Sequence, residues 1–109
     1  MKYENCTVEL SSNRLILSKG CVTLLNITAG ERLSIMYYQI DNQTTVPLIG
    51  KSSSFTDEYD GNRLTKSNTV SFRGQQNEVL KLYGNFFCLE DFKNGIYTLN
   101  SITAENNNL

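Results

Sequence analysis

The chain has 109 residues, of which ten are Lys or Arg and eleven are Asp or Glu, giving a net charge of −1. This length fits one domain with a modest core, so we predict a single domain over residues 1–109. The charges nearly cancel and no apolar stretch approaches a membrane span, so we expect neither a nucleic-acid partner nor direct membrane insertion by this segment.

Short runs of Val, Ile, Thr, Tyr and Phe alternate with clusters of Asn, Asp, Gly and Ser along the whole chain. This pattern is typical of an all-β fold, and no segment predicts a helix. In chain order, the predicted strands are Cys6–Leu10, Leu15–Leu17, Cys21–Ile27, Leu33–Ile40, Val46–Gly50, Thr69–Phe72, Val79–Cys88 and Ile96–Thr103.

Two tight turns are predicted between strands. Asp41-Asn42-Gln43 marks one hairpin and Lys93-Asn94-Gly95 marks another, since Asn and Gly tolerate the positive φ that such turns need. The segment 51–68 is rich in Ser, Asp, Asn and Lys. Residues 104–109 are expected to be a tail or a linker.

Three N-glycosylation sequons begin at Asn5, Asn26 and Asn42, and the chain has three cysteines. Sequons and an odd cysteine count suggest a secreted setting with one disulfide and one remaining thiol. We therefore expect an extracellular location, as the ectodomain of a cell-surface membrane protein. A cytosolic domain with three buried thiols is the alternative.

The composition argues against an enzyme. The chain has no histidine, which removes the commonest general base and zinc ligand. Carboxylates cluster at Asp57 to Asp60 and at Glu90-Asp91, where they could serve glycoside chemistry or bind calcium. A solvated loop is the favoured interpretation of both clusters. The cysteines lack the paired spacing of a zinc site. We expect no catalysis, no metal and no cofactor.

Three motifs carry a family resemblance: Met36-Tyr37-Tyr38-Gln39, then Leu48-Ile49-Gly50, and later Gly84-Asn85-Phe86-Phe87-Cys88. Together they resemble the variable-type (V-set) domain of the immunoglobulin superfamily, in which a core tryptophan stands where this chain has Met36. The resemblance implies a two-sheet sandwich with Greek-key connections. A rival alignment places Gly95 to Leu99 on the late strand instead.

The cysteine pairing is left open by the resemblance. Gly20 to Leu24 is similar to the start of the family's second strand, but the family's cysteine is absent there. Period-two alternation with Asn26 outward would turn Cys21 inward, so that it could reach Cys88. Cys6 is the alternative partner of Cys88, and a fold without any bridge is the third option.

The resemblance also implies a binding face, which combines two groups of residues. It puts Tyr37 and Gln39 at outward positions, with Leu48 beside them on the next strand. Residues at and flanking the turn between the last two strands complete the predicted partner-binding set: Glu90, Asp91, Phe92, Lys93 and Asn94. Alternatively, Tyr37 and Tyr38 fill the core space of the missing tryptophan.

The functional expectation is weak homophilic recognition between cells. The degraded motifs resemble divergent invertebrate allorecognition receptors, such as those of colonial cnidarians, and near-zero charge suits binding between identical copies. A viral immune-evasion glycoprotein that binds a host receptor is one alternative. A small glycan-binding sandwich is another.

Overall fold

The computed structural model describes residues 1–55 and 61–102. Antiparallel strands dominate, joined by two short helices and one 3₁₀ turn. The elements are β1 (Lys2–Ser11), β2 (Arg14–Leu17), α1 (Lys19–Leu25), β3 (Arg32–Gln39), β4 (Thr45–Lys51), the 3₁₀ turn Ser52–Ser54, β5 (Asn62–Arg63), β6 (Thr69–Ser71), α2 (Gln75–Lys81), β7 (Phe86–Lys93) and β8 (Ile96–Ser101).

The eight described strands form one sheet in the order β5-β3-β4-β8-β7-β1-β2-β6. Three antiparallel hairpins, β1–β2, β3–β4 and β7–β8, supply much of the pairing. A bridge between Leu64 and Val70 brings the segment after β5 against β6, so the sheet is nearly closed like a barrel. The expectation of a mostly antiparallel β fold is confirmed. The two-sheet sandwich with Greek-key connections is not confirmed, because the strands share a single sheet.

The core fills the concave side of this sheet. Strand positions two residues apart share a face, so Leu33 and Ile35 on β3 lie on the core side together with Ile49 on β4. Phe87 and Leu89 do the same on β7. The helices also contribute to the core, with Cys21 and Leu25 from α1 and Leu80 from α2.

The predicted strand Cys21–Ile27 is wrong, since most of it forms α1. The Ser18 hydroxyl caps this helix by accepting a hydrogen bond from the Cys21 backbone N–H at 3.1 Å. Asn26 ends the helix in the left-handed region, with φ 54°. Only Cys21 and Leu25 are buried, four residues apart, because a helix packs one face. On a strand, alternation would have placed Thr23 on the same inward face as Cys21, but in α1 Thr23 is exposed.

The predicted strand Val79–Cys88 is wrong over its first seven residues, Val79 to Asn85. Its first three residues belong to α2, and the strand begins only at Phe86. Gly84, with φ 137°, lies between the two elements in a conformation that side chains disfavour. On α2, the Asn77 side-chain amide donates to the Ser12 carbonyl at 3.1 Å, which ties the helix to the β1–β2 turn.

The remaining predicted strands are found, with shifted ends. The hairpin at Lys93-Asn94-Gly95 is confirmed, because Asn94 and Gly95 have φ of 53° and 82° and connect β7 directly to β8. Asp41-Asn42-Gln43 joins β3 to β4, and the Gln43 backbone N–H donates to the Asp41 carboxylate at 2.8 Å. The predicted tail 104–109 lies outside the described residues.

Candidate functional site

One region of the sheet exposes a dense group of large apolar side chains. Within five residues at the end of β3, Met36, Tyr37, Tyr38 and Ile40 are 43%, 37%, 48% and 58% exposed. Such side chains are usually buried, so several exposed ones at the end of a single strand indicate a candidate site of interaction. We call these four residues, together with their ring partners Tyr83 and Phe92, the hairpin surface.

The side chains of β3 face the opposite way from the sequence expectation. Leu33 and Ile35 belong to the core, so alternation places Tyr37 and Gln39 on the core side and Met36 and Tyr38 on the outer side. The resemblance implied that Tyr37 and Gln39 point outward, whereas the alternation places them on the core side of the sheet. Both side chains are nevertheless exposed there.

Tyr37 packs against Tyr83, which follows α2. Their rings stack with centroids 5.7 Å apart and planes inclined by 29°. Burial raises the pKa of Tyr37 to about 12, with a smaller contribution from Tyr83. Tyr37 therefore stays neutral at physiological pH and anchors the β3–β4 hairpin to the segment after α2.

On the outer side, Tyr38 contacts Phe92 of β7. Their rings meet nearly edge to face, with centroids 5.2 Å apart and an interplanar angle of 65°. Pairs of this geometry add about 0.5–1.5 kcal/mol beyond the area they bury. The contact links the β3–β4 hairpin to the β7–β8 hairpin. Among the predicted binding residues Glu90 to Asn94, Phe92 is the one that contacts the hairpin surface through its ring.

The other predicted binding residues have different surroundings. Leu48, directly opposite Met36 on β4, is only 5% exposed and offers little contact area. Glu90 accepts a hydrogen bond from the Asn100 amide at 2.6 Å, and the Asp91 carboxylate lies 3.5 Å from the N-terminal ammonium of Met1. Lys93 and Asn94 are exposed at the turn.

Four members of the hairpin surface were not in the predicted binding set: Met36, Tyr38, Ile40 and Tyr83. Met36 was matched to a core tryptophan, which assigned it to the interior. A signal was present, because residues 35–40 have apolar side chains at both odd and even positions. Odd and even positions of a strand point to opposite faces, so the apolar side chains on the face away from the core had to be exposed. No local signal places Tyr83 beside Tyr37, because that contact depends on α2.

The three cysteines are free thiols, so the structure contains neither the Cys21–Cys88 nor the Cys6–Cys88 bridge. Cys21 is buried on α1 rather than on the strand that the pairing argument required. Burial raises the pKa of the Cys21 thiol to about 12, with a smaller contribution from Cys6. Such a thiol is a poor nucleophile at neutral pH.

A second surface feature is a polar cleft of about 350 Å³ between β3, β4 and β5. Its charged lining residues are Arg32, Lys51, Arg63 and Glu31. Arg32 donates to the Gly61 carbonyl at 3.1 Å and Arg63 to the Gly30 carbonyl at 2.7 Å. The Lys51 ammonium lies 3.9 Å from the Glu31 carboxylate. All three basic side chains are thus engaged within the chain.

Within residues 1–55 and 61–102, no group of three or more His, Cys, Asp or Glu side chains is placed to hold a metal ion. In the same part of the chain, neither helix has the length and apolar character needed to cross a membrane. The acidic run Asp57 to Asp60 lies outside the described residues.

No protein-family model, curated protein or solved structure matches the chain. The function is therefore argued from the geometry of the hairpin surface.

Proposed function

We propose that this chain is a recognition domain that binds a second copy of itself weakly through the hairpin surface. One observation carries the proposal: four large apolar side chains, Met36, Tyr37, Tyr38 and Ile40, are exposed within five residues at the end of β3. Aromatic side chains of this kind supply much of the binding energy at protein interfaces.

The charge distribution supports a second copy as the partner. Residues 33–40 carry no charged side chain. A neutral patch does not repel its own copy, whereas a patch of one sign would. The patch is small, so we expect dissociation constants in the micromolar range or weaker, with useful strength coming from many copies acting together.

The proposal includes an extracellular setting, in which the chain is the recognition part of a cell-surface receptor. The three sequon residues Asn5, Asn26 and Asn42 are all exposed, as glycan attachment requires. The proposal rests on the hairpin surface and not on the resemblance to variable-type immunoglobulin domains. The segment that the resemblance matched to the second strand of that family forms the helix α1 here.

Sedimentation velocity over a wide concentration range, together with aggregation of beads that display the domain densely, tests this function. Ile40→Ser should reduce self-association at least tenfold and leave beads dispersed, because Ile40 is 58% exposed and forms part of the hairpin surface. Ile16→Ser is the control. It makes the same change at a half-buried position on β2, a strand that carries no residue of the hairpin surface.

Circular dichroism would confirm that both variants are folded. A wild-type protein that remains monomeric at millimolar concentration and leaves beads dispersed would rule out homophilic recognition. Equal effects of Ile40→Ser and Ile16→Ser would show that the hairpin surface is not the binding site.

A further inference from the structure

Within the described residues, the edge of β3 that faces away from β4 is paired with another strand only at its start. Its neighbour on that side, β5, pairs only with Arg32 and Leu33. Within residues 1–55 and 61–102, no strand lies along this edge from Ser34 to Gln39. Such an edge presents unpaired backbone donors and acceptors, and proteins normally protect it with charges, proline or a covering element. Residues 34–39 contain no charge and no proline.

The register of the β3–β4 hairpin shows which residues offer these groups. The Ile40 backbone N–H donates to the Thr44 carbonyl at 2.8 Å, so Ile40 and Thr44 are a hydrogen-bonded pair. Hydrogen-bonded pairs alternate along an antiparallel ladder, so Tyr38 and Met36 also bond to β4. The N–H and C=O groups of Ile35, Tyr37 and Gln39 therefore point to the edge away from β4. Phe72 and Gln76 line a small cleft beside Ile35. Tyr37 and Gln39 are therefore the residues left for pairing with another strand.

We infer that two copies pair antiparallel along this edge, with Tyr37 of each copy opposite Gln39 of the other. The inference rests on the proposed function and specifies how the second copy is bound. Each Tyr37–Gln39 pair would form two backbone hydrogen bonds, which gives four across a twofold axis. The two copies of Tyr38 would face each other at that axis. A twofold interface of this kind uses the same surface on both chains and closes as a dimer.

This register matches the exposed side chains with one another. On the outer side, Tyr38 lies opposite the second copy's Tyr38, and Met36 lies opposite the second copy's Ile40. Directly opposed aromatic or apolar residues contribute roughly 0.2–1 kcal/mol per pair in antiparallel sheets. Met36, Tyr38 and Ile40 each thus gain an apolar neighbour from the second copy.

Gly61 argues against a longer overlap. It lies against the Leu33 carbonyl and the Ser34 and Ser52 hydroxyls, so that a Cβ atom at this position would clash with them. The edge beside Ser34 is therefore occupied. Shifting the register toward Ser34 would place the second copy's Ile40 on this glycine, whereas pairing over Met36 to Ile40 leaves it undisturbed.

Proline substitution at the edge tests the hydrogen bonds directly. Gln39→Pro removes an N–H that points away from β4, a position where a strand tolerates proline. We expect Gln39→Pro to remain folded but to self-associate at least tenfold more weakly than Gln39→Ala, which keeps the N–H. Tyr38→Pro should instead unfold the hairpin, because the Tyr38 N–H bonds to β4.

Disulfide trapping tests the register. Residues in a pair that is not hydrogen-bonded have Cα atoms about 4.5 Å apart, close enough for a bridge. Tyr38→Cys should therefore form covalent dimers under mild oxidation much faster than Gln39→Cys, whose two copies are not opposed. Equal rates for the two variants would overturn this register.

The outcomes separate the two proposals. Wild-type self-association that Gln39→Pro leaves unchanged, but that Ile40→Ser abolishes, would overturn the edge pairing and leave homophilic recognition in place. A wild-type protein that is monomeric at all concentrations would overturn both. Weaker association of Gln39→Pro, together with selective trapping of Tyr38→Cys, would establish the edge-paired dimer.

Discussion

Tyr37 of β3 stacks on Tyr83, the second residue after α2, with ring centroids 5.7 Å apart. This contact links an exposed hairpin to the helix that the sequence did not predict. It explains how a strand end with so many exposed apolar residues holds a defined position.

A double-mutant cycle should detect this link. Tyr37→Ala and Tyr83→Ala should each lower the free energy of unfolding, and the double variant should lose less than their sum. We expect a coupling free energy of about 0.5–1.5 kcal/mol, as for other aromatic pairs. Urea unfolding at pH 7 provides the measurement. Additive losses would show that the stack does not stabilise the fold.

Alkaline pH should destabilise the protein through Tyr37. Burial raises the pKa of Tyr37 from its ordinary 10.0 to about 12. Between these values the folded state holds a proton that the unfolded state has released, so stability is complete below pH 10 and falls as the pH rises toward 12. Urea unfolding from pH 9 to 12 should show a shallower decline for Tyr37→Phe. Identical slopes would contradict this prediction.

The thiols should differ in reactivity. Burial raises the pKa of the Cys21 thiol to about 12, and the side chain is completely buried, whereas Cys6 is half-buried. Because the thiolate is the reactive form, Cys21 should resist alkylation in the native protein. Iodoacetamide labelling followed by peptide mass spectrometry would measure each rate. In denaturant, all three cysteines should react, because all three are free thiols.

Gly61 and Gly30 form a matched pair for backbone substitution. Both have positive φ, of 85° and 95°, but only Gly61 has close neighbours, while a Cβ atom on Gly30 would meet nothing within 4 Å. Gly30→Ala should cost about 1–2 kcal/mol from the left-handed backbone alone. Gly61→Ala should cost clearly more, since it also clashes with the Leu33 carbonyl. Thermal unfolding of the two variants would test the difference.

Hairpins were the predictable part of this fold. In β3–β4 and β7–β8, apolar strands flank turns made of Asn, Asp and Gly, so both strands and turn are encoded locally. The helices were missed because each has only seven residues, and because Val22, Thr23 and Leu24 in α1 also suit a strand. The capping residues Ser18 and Asn26 were the available signal.

The candidate site was predicted in part. Tyr37, Gln39 and Phe92 were chosen from a resemblance, and the structure brings Phe92 to Tyr38 rather than to Tyr37. The resemblance matched Met36 to a core tryptophan and so predicted that the Met36 side chain points inward. In the structure the neighbouring residue Ile35 lies in the core instead. The sheet order, with β8 between β4 and β7, depends on contacts between distant segments that no local pattern encodes.

The position of β1 between β2 and β7 has a consequence for how the chain folds. β2 can pair with β1 as soon as the short turn between them forms, but β7 is separated from β1 by most of the described sequence. Closing so long a loop is slow, because its entropy is lost before the contacts form. We therefore expect millisecond or slower folding, with the three hairpins forming early and the β1–β7 seam closing last.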